Sequence, residues 1–116
     1  MAEKLGYKDY SKTNIRPSFY ALFYPKFREI AVQSGYAIAI HGSMASDMDL
    51  IAVAWTTDAI PAEELANKIC EAGAGTMYDS LHPSVTAKKP HGRVVYTISI
   101  FADWYFDLSI MGPINN

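Results

Sequence analysis

Two β-rich runs, RVVYTISIF (93–101) and WYFDLSIM (104–111), are separated by only Ala102-Asp103, and this spacing constrains the fold more than any other feature of the chain. Branched and aromatic side chains at this density favour a pleated, half-buried backbone. A connection this short permits only an antiparallel return, so the pair predicts a hairpin even without a glycine in the turn. Two shorter apolar runs lie upstream, at 36–41 and 48–55, rich in Ile, Val and Ala, and both read as buried strands.

Helical patterns flank these strands. Pro17 and Ser18 open one, in which Phe19, Leu22, Phe23, Phe27 and Ile30 recur at steps of three and four and are expected to face the core, with Gly35 as the stop. Pro25 removes a backbone donor inside this stretch, which predicts a kink near Tyr24 or a split into two helices. Asp58, Pro61, Glu63 and Glu64 announce a second helix running to about Ala72, with Leu65, Ile69, Ala66 and Cys70 inward and Gly73 and Gly75 ending it. Between Thr76 and Pro90 the pattern is weak, with room for one edge strand around Val85. The aromatics Trp55, Trp104, Tyr105 and Phe106 read as core and hairpin packing, while Trp55, Tyr96 or Trp104 would stack on a base if exposed beside a pocket.

The order helix, strand, strand, helix, weak strand, strand, strand describes an α+β domain: a mixed or antiparallel sheet of about four or five strands with two main helices on one face. A chain of 116 residues that is 50% hydrophobic fits one such domain, over 16–116, preceded by an arm over 1–15 that carries no sustained period. The formal charge of -2 argues against a general nucleic-acid binder. No apolar run is long enough to cross a bilayer. The single cysteine, Cys70, leaves no internal disulfide, so a cytoplasmic setting is expected.

The link between the first two strands, HGSMASDMDL (41–50), carries the candidate chemistry. Asp47 and Asp49 are two residues apart, so at a strand their carboxylates share a face and repel unless a cation lies between them. Magnesium suits that role, because it takes oxygen ligands and shares its shell with phosphates. Gly42 lets backbone amides and the Ser43 hydroxyl approach a phosphate closely, with His41 at the mouth. Asp107, inside the apolar run WYFDLSI, becomes a third carboxylate if its strand lies beside 48–55. A second polar stretch, KKPHGR (88–93), offers Lys88, Lys89, His91 and Arg93 as phosphate donors if it closes over the same loop, with Arg93 the best bidentate candidate.

HGSMASDMDLIAV with the later FDLSI resembles the nucleotidyltransferase superfamily that includes polymerase β. The resemblance covers residues 36–110. It implies a nucleotidyltransferase-like fold in which Gly42 and Ser43 hold a nucleotide's phosphates and Asp47, Asp49 and Asp107 hold magnesium for attack on the α-phosphate. Only Met44, Ala45 and Ser46 separate the two halves of the motif, fewer than in that superfamily and too few for a helical turn and a return to a strand. Binding of a phosphorylated nucleotide is therefore the expectation placed first, and magnesium-dependent transfer by the same carboxylates the alternative. An adaptor without a small-molecule site, which uses the arm and the hairpin edge to bind another protein, is the third, and a homo-oligomer is left open. The chain also resembles short proteins encoded by tailed phages and prophages, which implies a bacterial cytoplasm and a use such as sequestering a host nucleotide immune signal.

Overall fold

The computed structural model describes residues 15–74, 84–89, 92–101 and 104–113. A helical segment, α1, covers 15–21, and α2 (Tyr24–Gln33) follows after a turn at Leu22 and Phe23. The split expected from Pro25 occurs, and the proline falls in the first turn of α2, where its missing amide has no intrahelical partner to lose. Strands β1 (Tyr36–His41) and β2 (Met48–Ala54) come next, then α3 (Ala62–Ala74), β3 (Ser84–Lys89), β4 (Arg93–Phe101) and β5 (Trp104–Met111). The expected arm lies outside the described residues except for Ile15, which is already helical.

The five strands form one mixed sheet in the order β1-β2-β5-β4-β3. Neighbouring strands are antiparallel apart from β2 and β5, which are parallel. The hairpin read from 93–111 is present, its register shifting between Ser99 and Phe101, and β3 is the edge strand expected around Val85.

Alternation along the strands divides the sheet into two faces. Met48, Leu50 and Ala52 of β2, Phe106, Leu108 and Ile110 of β5, and Tyr96, Ile98 and Ile100 of β4 are buried together with Phe27 and Ala31 of α2 and Leu65, Ala66, Ile69 and Cys70 of α3. Both main helices thus pack on one face, as the pattern predicts. Phe106 anchors this layer, its ring 5.0 Å from that of Phe27, 5.1 Å from Phe23 and 5.9 Å from Tyr20, all edge to face.

Three expectations are corrected. Leu22 is 77% exposed, and Tyr20 is buried instead, because the break before Pro25 shifts the phase of the apolar stripe. Trp55, grouped with the packing aromatics, is 72% exposed just beyond the end of β2. Gly73 does not end α3 but lies within it, and its role is steric. A Cβ there would stand 2.8 Å from both Phe106 Cε2 and Phe27 Cζ, two buried ring atoms with nowhere to move. Gly73→Ala is accordingly expected to lower stability by about 1–2 kcal/mol, the overpacking cost outweighing the ~1 kcal/mol helix-propensity gain. Urea unfolding measures this, and a Gly73→Ala protein as stable as the parent would refute the packing role.

Candidate functional site

The face of the sheet away from the helices carries a polar row one residue deep. His41 pairs with Asp49 across β1 and β2, Asp49 with Asp107 across β2 and β5, and Asp107 with Thr97 across β5 and β4. All four have the parity of the open face, opposite Leu50, Leu108 and Tyr96. The parallel register thus brings Asp49 and Asp107 side by side, as the third-carboxylate expectation requires. Asp47, two residues before Asp49, comes within hydrogen-bonding reach of the Asp107 carboxyl. The Thr97 hydroxyl donates to Asp107 Oδ1 at 3.0 Å, a partner that the sequence marked only as a polar step between Tyr96 and Ile98.

Gly42, at φ +81°, turns the chain immediately after His41. A Cβ on this residue would lie 3.0 Å from Asp49 Oδ2, so the glycine loop and the carboxylates share one locus despite the short link. Ser43 is exposed, and its Oγ accepts from the Ala45 amide at 3.1 Å; Met44 then takes φ +62°, an uncommon left-handed turn for a non-glycine residue. That turn lets three residues return the chain to β2 without a helix.

Two side chains of α1 secure the end of this loop, and the sequence singled out neither. Arg16 Nη1 donates to the Ser46 carbonyl at 2.9 Å while its guanidinium lies 4.6 Å above the Trp104 ring. The buried Tyr20 hydroxyl donates to the same carbonyl at 2.6 Å and accepts from the Tyr105 amide at 3.1 Å. One phenol therefore ties the loop before Asp47 to the start of β5, two residues before Asp107.

Two of these carboxyls, Asp47 and Asp49, resist ionisation. Asp47 is held above the ordinary carboxylate range by burial first, then by the charge and hydrogen bond of Asp107 and the charge of Asp49, with Arg16 opposing. Burial and the Asp107 charge likewise raise Asp49, with His41 opposing. The donor set is oxygen only, which suits a hard cation. Yet among the described residues no group of three or more His, Cys, Asp or Glu side chains is arranged so that it could hold a metal ion.

The second polar stretch lies elsewhere. Arg93 begins β4, four residues before Thr97, about 13 Å along the strand at ~3.3 Å per residue. It stands at the Met111 end of β5, away from Gly42 and Ser43, and Lys89 pairs with it in register. His91 lies outside the described residues. The geometry therefore does not bring Arg93 and Lys89 to the Gly-Ser loop, because antiparallel β4 carries its first residue to the other end of the sheet. No protein-family model and no curated protein matches the chain.

The raised carboxyls make stability depend on pH with a definite sign. An unfolded Asp titrates near pH ~4, whereas Asp47 and Asp49 in the fold hold their protons to higher pH. The folded state binds more protons in that window, so stability falls as pH rises through it, and the repulsion acts in full above the folded values. Asp49→Asn is expected to raise the melting temperature by a few degrees at about pH 7, with the advantage shrinking toward pH ~4. Thermal unfolding across that range checks it; a variant less stable than the parent at neutral pH would contradict the repulsion.

Proposed function

We propose that the chain binds a phosphorylated nucleotide as its magnesium complex, in a nucleotidyltransferase-like pocket at the polar row. The observation that carries this reading is the convergence of Asp47, Asp49 and Asp107 on one face, beside a glycine loop whose Cβ position touches an Asp49 oxygen. Carboxylates alone would repel a phosphate. A cation between them reverses that repulsion, and magnesium commonly reaches such sites with substrate phosphates in its shell. The cation is accordingly assigned to the ligand: the described carboxylates do not form a three-ligand cage, but they can complete the shell of an ion already held by phosphates.

In this reading Asp49 and Asp107 face the ion, Asp47 shares it, and the loop at Gly42 and Ser43 borders the phosphates. Arg16 and Tyr20 are positioning residues, since they hold the Ser46 carbonyl and thereby the approach to Asp47. Sequestration of a nucleotide signal is one use for such a pocket. Transfer chemistry by the same three carboxylates is the second reading, favoured by their adjacency in register, and it differs in the fate of the ligand.

Native mass spectrometry of the intact chain against linear and cyclic nucleotides, with and without magnesium, separates these readings. Binding of an unmodified nucleotide only when magnesium is present is expected, with Asp107→Asn weakening it by about tenfold or more, equivalent to ~1.4 kcal/mol. Recovery of a mass-shifted product would establish turnover instead. Failure of every nucleotide to bind in the presence of magnesium would remove the proposal.

A further inference from the structure

We propose that the opposite end of the sheet holds a second site, which takes a planar aromatic anion such as a nucleoside monophosphate without metal. Trp55 would stack on the ring and Arg93 would pair with the anionic group. This site is separate from the carboxylate row and does not depend on its function.

Register brings the two residues together. On the open face, Val53 pairs with Met111 across β2 and β5. Arg93 lies one position beyond the Val94–Ile110 pair, which sets it across from Met111 on the other side. Trp55 follows Val53 by two residues and shares its parity. Arg93 is therefore level with Met111 and Trp55 two residues beyond it, on strands two spacings apart, so their backbones are separated by about 12 Å, a span that two long side chains and a nucleoside monophosphate can cover between them.

The surroundings fit a small ligand. Trp55 is 72% exposed, although a tryptophan buries more apolar area than any other side chain when it has a surface to meet. It borders a cavity of about 760 Å³ whose walls include Thr57, Gly92, Met111 and Pro113, a size typical of small-molecule sites. Among the described residues nothing lies within 4 Å of a Cβ placed on Gly92, at φ +74°, directly before Arg93. The anion is assigned to this end because Arg93 lies here, whereas the acidic row lies about 13 Å away along the strands. A guanidinium beside a stacking ring recognises the two halves of such a ligand at once.

The test uses the full chain in EDTA, so that magnesium-linked binding cannot contribute. Isothermal calorimetry with AMP, GMP, CMP and UMP is expected to show saturable binding of at least one, with its nucleoside bound at least about tenfold more weakly, ~1.4 kcal/mol. Arg93→Gln should remove that preference, Trp55→Leu should abolish binding, and Trp55→Tyr should restore it in part. Trp55 lies outside the buried core, and circular dichroism of each variant checks that it folds. No binding of any of the four, equal binding of nucleotide and nucleoside, or affinities unchanged in Trp55→Leu and Arg93→Gln would each overturn the assignment.

Discussion

The parallel pairing of β2 with β5 is the constraint on which both faces of the sheet depend. It aligns Met48, Leu50 and Ala52 with Phe106, Leu108 and Ile110 under the helices, and by the same register aligns Asp49 with Asp107 on the open side. Strands this far apart in sequence can run parallel only because α3, β3 and β4 intervene, returning the chain so that β5 enters between β2 and β4. A slip of one residue in this pair would put two carboxylates into the layer filled by Phe27 and Ile69, at a desolvation cost that no contact there offsets. The core thus holds the acidic pair together against its own repulsion.

That repulsion is local, and the structure answers it in several small ways. Thr97 donates to Asp107, His41 stands across from Asp49, and Arg16 opposes the elevation of Asp47. Burial, and after it the charge of Asp107, outweighs these contacts, so Asp47 and Asp49 hold protons more tightly than free carboxyls. A group that stays costly in the free protein gains most from a cationic ligand, and this physical relation links the stability of the fold to its proposed binding.

Chemistry is also divided along the length of the sheet. The end formed by the 42–47 loop is acidic and braced by α1 through Tyr20 and Arg16, whereas the other end carries the exposed Trp55 and, across β5, Arg93. Antiparallel β4 runs between the two ends, so its Thr97 serves one and its Arg93 the other.

Periodicity and breakers were sufficient to identify the strands, the split at Pro25, the hairpin at 93–111 and the α+β class, because each of these follows from local spacing and backbone sterics. The candidate acids were legible for a related reason: a carboxylate such as Asp107 inside an apolar strand is conspicuous in sequence. What only the tertiary structure decided was which polar groups meet. Strand order and direction are set by burial summed over the whole core, so no local pattern revealed that Thr97 would reach Asp107 or that Arg93 would lie at the far end. Nor could it show that Tyr20 would bridge Ser46 to Tyr105, or that Gly73 was required by two rings rather than by a helix end. Local sterics act over a few residues and are written in the order of the chain, whereas the positions of the acidic row and of the exposed Trp55 arise from contacts between segments far apart in it.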